Sequence, residues 1–224
     1  MRIVLIGPPG AGKGTQSALI AEKLQILHLS TGDILRAVCA QQSEIGLQAA
    51  QFMERGDLVP DEMIQEIVFK QLSLPACEAG YILDGFPRTV PQAEEFDAWL
   101  NQRQCSLSLV LEIRVTEQIL LERLNERGRE DDVREVVHQR MQQYDDLTHP
   151  LLEYYKDHGV LHVVHGGHGS ADEVFANIGQ IIDNLPGARV SGASISGADV
   201  SGAGIPRDGI PRDGGSENGH ADQS

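Results

Sequence analysis

Short apolar runs that do not alternate with polar residues constrain this chain most. RIVLI (2–6), YILD (81–84), LSLVLEI (107–113) and VLHVV (160–164) read as buried strands, with a shorter one at LHLS (27–30). A strand with one wet face shows a period of two; a run without that period is dry on both faces, as in a parallel sheet between helices. The stretches between the runs have helical periodicity. GKGTQSALIAEKL follows the first run, and DEMIQEIVFKQL, opened by Asp61, sets Met63, Ile64, Ile67, Val68 and Leu72 on one stripe. TEQILLERLNERG starts at a threonine cap and stops at Gly128, while VREVVHQRMQQYDDLTHPLLEYYKDHG reads as one long helix kinked near Pro150. This alternation predicts a doubly wound α/β fold with a five-stranded parallel sheet.

The pattern stops at Leu185. From Pro186 onward there is no aromatic residue, S-G-A units recur at a spacing of five, and IPRDG is written twice in tandem. Too little apolar surface is available there to offset chain entropy, so 186–224 is expected to be a disordered tail on a 1–185 domain. The formal charge of −15 argues against general nucleic-acid or anionic-membrane binding. An anionic ligand would need arginines gathered locally. No run of about 18 apolar residues exists, as a membrane span would require, and the short apolar start lacks the cleavage site of a secretory signal. Cys39, Cys77 and Cys105 form an odd, widely spaced set, which suggests neither a disulfide framework nor a zinc site and fits reduced thiols in the cytoplasm.

The first run leads straight into GPPGAGKGTQ. Gly7, Gly12 and Lys13 fit the phosphate-loop pattern G-x-x-x-x-G-K, but Gly14 stands where Ser or Thr usually follows, and the hydroxyl arrives one place later at Thr15. Strand before and helix after are the setting that pattern requires. Glycines let the backbone close round a phosphate with its N–H groups inward, while the helix N-terminus and Lys13 add positive charge. Thr15 still falls in the first helical turn. No N-K-x-D is present, which weakens a GTPase reading.

Arginines recur beside Gly and Asp. STGDILR (30–36) opens a helix capped by Thr31 or Asp33. DGFPRT (84–89) ends a strand at Asp84 and turns through Gly85 and Pro87 to present Arg88, at the carboxyl edge where open α/β sheets bind ligands. An Asp there orients metal-bound water, and an Arg grips phosphate oxygens in pairs; a plain turn is the alternative for Asp84. Arg123 and Arg127 share a helix face, Arg129 follows in RGREDD, and Arg140 lies in the next helix. Glu122, Glu126 and Glu130 neutralising them on a solvated face is the bland reading of these arginines.

In this order and spacing, GPPGAGKGTQ, STGDILR, GDLVPDE, LDGFPRTVPQA, RGREDD and the later arginine resemble the adenylate kinase family over residues 1 to 184. Members of that family carry Gly where the general loop has Ser or Thr. The resemblance implies a P-loop NTPase-type sheet with a helical AMP-binding flap at 31–60 and a very short lid at 127–137. It also implies reversible transfer of the γ-phosphoryl group of MgATP to AMP, giving two ADP, by a cytoplasmic monomer. Carried over by position, Gly10, Ala11, Gly12, Lys13, Gly14 and Thr15 hold the ATP phosphates, with Arg123 and Arg127 facing ATP and Gly167 to Gly169 bordering its adenine. Thr31, Arg36, the backbone from Asp57 through Leu58 to Val59, and Gly85, Phe86, Pro87 and Arg88 bind AMP, with Gln92 at its adenine. Arg129 and Arg140 clamp the phosphates, so that Lys13, Arg88, Arg127, Arg129 and Arg140 form the catalytic set. Asp131 and Asp132 order the lid hinge. Asp33 and Asp84 hold waters of the magnesium shell.

Only Gly128, Arg129 and Glu130 separate Arg127 from Asp131. So short a lid departs from the family's long form, which inserts a small domain there, and from the longer loop of its short form; it leaves no place for zinc. Pyrimidine monophosphate kinases are the nearest rival, but they tend to have Ala in place of Thr31 and Asn in place of Thr89. A nucleotide-binding module that no longer catalyses is the rival outside the enzymes.

Overall fold

The computed structural model describes residues 1–127, 133–167 and 169–185. Five parallel strands, β1 (Arg2–Ile6), β2 (Leu27–Ser30), β3 (Tyr81–Asp84), β4 (Leu109–Arg114) and β5 (Leu161–His165), lie in the order β2-β3-β1-β4-β5. In register, Leu5 sits between Asp84 and Leu111. The central strands β1, β3 and β4 are dry on both faces, as the unalternated runs require. The run at VLHVV is not: at the sheet edge β5 leaves Val163 40% exposed and buries only Val164. Val4 and Ile6 join Leu83 and Val110 on one face, while Ile3 and Leu5 join Ile82, Leu109 and Leu111 on the other.

Helices α2 (Thr31–Ala40), α3 (Glu44–Arg55), α4 (Asp61–Leu72) and α5 (Val90–Gln102), with α8 (His149–Asp157), supply the first face. Phe86, Phe96 and Trp99 gather round Phe69 there, with ring centroids 5.2 to 6.3 Å from its own. Helices α1 (Lys13–Leu24), α6 (Glu117–Arg127) and α9 (Ala171–Asp183) cover the second face through Ile20, Leu120 and Ile178. Helix α7 (Arg134–Gln143) precedes α8.

One local expectation needs correction. Ser30, not Thr31 or Asp33, caps α2: its Oγ accepts from the Asp33 N–H at 3.3 Å. That leaves the Thr31 hydroxyl to donate to the Asp84 carbonyl at 3.1 Å. The long helix changes its bonding just ahead of Pro150: a π-helical turn spans Tyr144–Thr148, where the His149 N–H donates to the Tyr144 carbonyl, and α8 runs on from there with Pro150 in its first turn. The segment from Gly128 to Asp132 and the tail from Pro186 lie outside the described residues, so the expectations for Arg129, Asp131, Asp132 and the tail do too.

Candidate active site

The chain leaves β1 toward the β2 edge and leaves β4 toward the β5 edge, so a crevice opens beyond the carboxyl ends of the central strands. A cavity of about 600 Å³ occupies that position. Its floor is the loop from Gly7 to Thr15. Gly10 has φ +84°, and a Cβ added there would come within 2.9 Å of the Leu120 carbonyl oxygen, so this bend against α6 demands glycine. Gly12, at φ 92°, caps α1 with no side chain in the way. Lys13 Nζ donates to the carbonyls of Gly7 at 2.7 Å and Pro8 at 3.1 Å, which holds the ammonium over its own loop.

Arginines line the opposite wall. Arg36, Arg88 and Arg140 come from three separate segments and meet in this cavity, while Arg123 lines it on the phosphate-loop side. Arg88 is tied to its turn by Nε donating to the Gly85 carbonyl at 2.8 Å. Burial, then the neighbouring charges of Arg140 and Arg36, push the Arg88 guanidinium below its ordinary range, while Asp84 pulls it back up. Crowded cations in a chain of net charge −15 make a local field suited to a polyanion. Arg123 bridges two loops, donating to the carbonyl of Ala11 at 3.4 Å and of Gly166 at 2.8 Å. Asp33 and Asp84 also line the cavity. Asp33 pairs with Arg36 across one turn of α2, and Asp84 Oδ2 lies 3.7 Å from where a Cβ on Gly14 would stand. Leu58, Gly85 and Pro87 complete that wall.

Several of the residues named from sequence lie behind the wall. Thr31 and Gln92 are 1% and 2% exposed, Val59 is buried, and Phe86 belongs to the aromatic core. Gly85 shows how close this second layer is: at φ +91°, a Cβ there would meet Thr31 Oγ1 at 2.6 Å. Asp57 accepts from Arg55 Nε at 3.0 Å and from Gln139 Nε2 at 3.0 Å, linking α7 to the residues after α3. Gly167 and Gly169 open instead onto a second cavity, beside Arg114 and Thr116. Arg127 ends α6. Residues that sequence reasoning missed on the main wall are His28, Gln143, Tyr144 and Thr148. They stand at a strand and in or beside the π turn, with no recognisable spacing to betray them. Among the described residues no group of three or more His, Cys, Asp or Glu is placed to hold a metal ion, and no helix is long and apolar enough to cross a membrane.

A glycine-built phosphate loop facing converging arginines, at the switch point of a parallel sheet, defines a nucleotide phosphotransferase of the phosphate-loop class. Comparison with known proteins narrows this. The family model for adenylate kinase matches residues 5–160. An adenylate kinase of Mycobacteroides abscessus is 47% identical over 182 residues, covering 81% of this chain and 99% of the relative. One from Mycobacterium tuberculosis is 47% identical over 176 residues, covering 79% and 96%. One from Clostridium botulinum is 40% identical over 213 residues, covering 81% and 98%. The chain belongs to the adenylate kinase family, whose activity is the transfer of a phosphoryl group between ATP, supplied as its magnesium complex, and AMP.

Proposed function

We propose that the loop from Gly10 to Thr15 takes the ATP phosphates and that the arginine wall takes AMP, so that γ-phosphoryl transfer runs between them in line. The observation that carries this reading is the meeting of the phosphate loop with Arg36, Arg88, Arg123 and Arg140 in one cavity. The acceptor is itself a phosphate, largely dianionic at neutral pH with a second pKa of about 6. No strong base is then needed. What the reaction needs is alignment and neutralisation of charge on the transferred group. Lys13 would leave its loop carbonyls for the β- and γ-phosphate oxygens. Arg36 and Arg88 would grip the AMP phosphate, with Arg140, Arg127 and Arg129 closing on the group in flight. Thr31, Gln92 and the backbone from Asp57 to Val59 form the AMP side, and Arg123 with Gly167 and Gly169 the ATP adenine side.

Asp33 and Asp84 are the donors suited to magnesium carried in on ATP. Both carboxylates line the cavity, Asp84 beside the start of α1, and hard oxygen donors holding its waters suit that ion. Bound there, it would neutralise charge shared between the phosphates.

Residues 1–185 are proposed as the catalytic domain, with 31–60 as flap and 127–137 as a short lid without zinc, in a cytoplasmic monomer. The alignment lengths support the short lid. The Mycobacteroides alignment is as long as the piece of this chain it uses, whereas the Clostridium alignment uses the same share yet runs roughly thirty positions longer. In total, roughly thirty positions of the Clostridium alignment have no counterpart in this chain, as a shorter lid would require.

A coupled assay of ADP formation from ATP with AMP, CMP, UMP or GMP tests the reading. Turnover is expected with AMP far above the others; preference for UMP or CMP would overturn it.

A further inference from the structure

We propose that Asp61, which opens α4, is a positioning residue that holds Arg88 in place through Gln92. The inference rests on the reading of Arg88 as a phosphate grip. Asp61 Oδ1 accepts from Gln92 Nε2 at 2.6 Å, and its Oδ2 accepts from the Thr89 hydroxyl at 3.0 Å. Gln92 Oε1 in turn accepts from the Arg88 backbone N–H at 2.7 Å. Arg88 Nε closes the turn on the Gly85 carbonyl. The carboxylate is thus joined to the arginine by two hydrogen bonds in series, across a sequence gap that no spacing reveals.

Donor and acceptor character key this chain of bonds in one direction. A carboxylate only accepts and a backbone N–H only donates, so the Gln92 amide sits with nitrogen toward Asp61 and oxygen toward Arg88. Turned over, it would set N–H against N–H and oxygen against oxygen. At 2% exposure, Gln92 has little water to fall back on if either partner is lost, and an unmatched buried polar group is strongly disfavoured. Asp61 also stands just after the flap segment from Asp57 to Val59. Movement of that segment is transmitted to the backbone of Arg88 through one side chain.

The test separates this link from simple stability. Asp61→Ala removes both acceptor oxygens and leaves the Gln92 NH2 and the Thr89 hydroxyl without their partner. Its kcat is expected to fall about tenfold to a hundredfold, the scale of a small misplacement of a reacting group, with KM for ATP within about twofold. Gln92→Glu sets two carboxylates face to face and should lower kcat likewise, so it serves if Asp61→Ala does not fold. The double variant Asp61→Asn, Gln92→Glu exchanges the two groups. Its new amide, on α4, donates to one oxygen of the new carboxylate, on α5, while the other oxygen still accepts from the Arg88 N–H. There kcat should return to within about threefold of the parent. KM for AMP should stay raised in both Gln92→Glu proteins if Gln92 reads adenine, so failure of that assignment shows separately from failure of the link. A kcat within about twofold of the parent in either single variant overturns the proposal. So does a double variant whose kcat stays low, whether or not its melting temperature recovers.

Discussion

The two walls of the central cavity are built by different means. The phosphate loop is one continuous stretch, from Gly7 to Thr15, shaped by backbone conformation, with Lys13 tied to carbonyls five and six residues away. The arginine wall is assembled from α2, the turn after β3 and α7, and its second layer is bonded across 28 to 53 residues of sequence: Thr89 to Asp61, Gln92 to Asp61, Thr31 to Asp84. A contiguous backbone cradle needs only the right local residues. A wall of side chains needs the whole fold to bring them together, and so it can yield as the fold moves. On the proposed reading, the first takes the triphosphate and the second chooses the acceptor.

The largest effect that sharpens this contrast is expected from Arg88→Ala. Turnover should fall about a thousandfold or more, the scale of a lost transition-state cation, while ATP binding, resting on the loop, changes little. An unchanged rate would mean that the wall does not act on the transferred group. Next comes Gly10→Ala, which forces φ +84° on a residue with a Cβ and brings that Cβ against Leu120. A loss of about 1–3 kcal/mol in urea unfolding is expected from the strain, together with weaker ATP binding. A fully stable variant would show that the loop relaxes freely.

A smaller effect concerns the support behind the arginine wall, where Tyr154 OH donates to Asp97 at 2.8 Å and joins α8 to α5. Burial holds the Asp97 carboxyl above its ordinary range, against the Tyr154 hydrogen bond and His158, which pull it down. The folded protein therefore binds this proton more tightly than the unfolded chain. The resulting stability is full below about pH 4 and is lost as pH rises through the folded value. Asp97→Asn should be the more stable protein at neutral pH and lose that advantage on acidification; parallel melting curves across that range would contradict the assignment. The smallest effect is expected from removing residues 187–224, which should leave rate and melting temperature nearly unchanged, whereas a large loss in either would make the tail part of the working enzyme.

How much of the molecule is legible in its sequence follows from the same contrast. The three central strands and the phosphate loop can be read because a doubly covered strand and a glycine cradle each write their requirement into adjacent residues; the edge strands β2 and β5 are read from short apolar runs although they are only partly covered. Helix α3 is harder, since it buries only Gly46 and Ala49 fully and leaves Ile45 and Leu47 exposed. Helix α9 has a signal that could find it: Ser170 and Glu173 form a capping box. Sequence places the cap of α2 late because Ser30, Thr31 and Asp33 are all competent caps, and only the tertiary bond from Thr31 to Asp84 decides among them. The Asp61–Gln92 bond, from one helix to another, has no local trace at all.

One titration bears most directly on the idea of a single cavity for both nucleotides. A compound in which two adenosines are joined through a chain of phosphates should bind once per chain, exclude ATP and AMP together, and bind far more weakly to the Arg88→Ala protein. Two molecules bound per chain, or exclusion of ATP with AMP still binding, would contradict it.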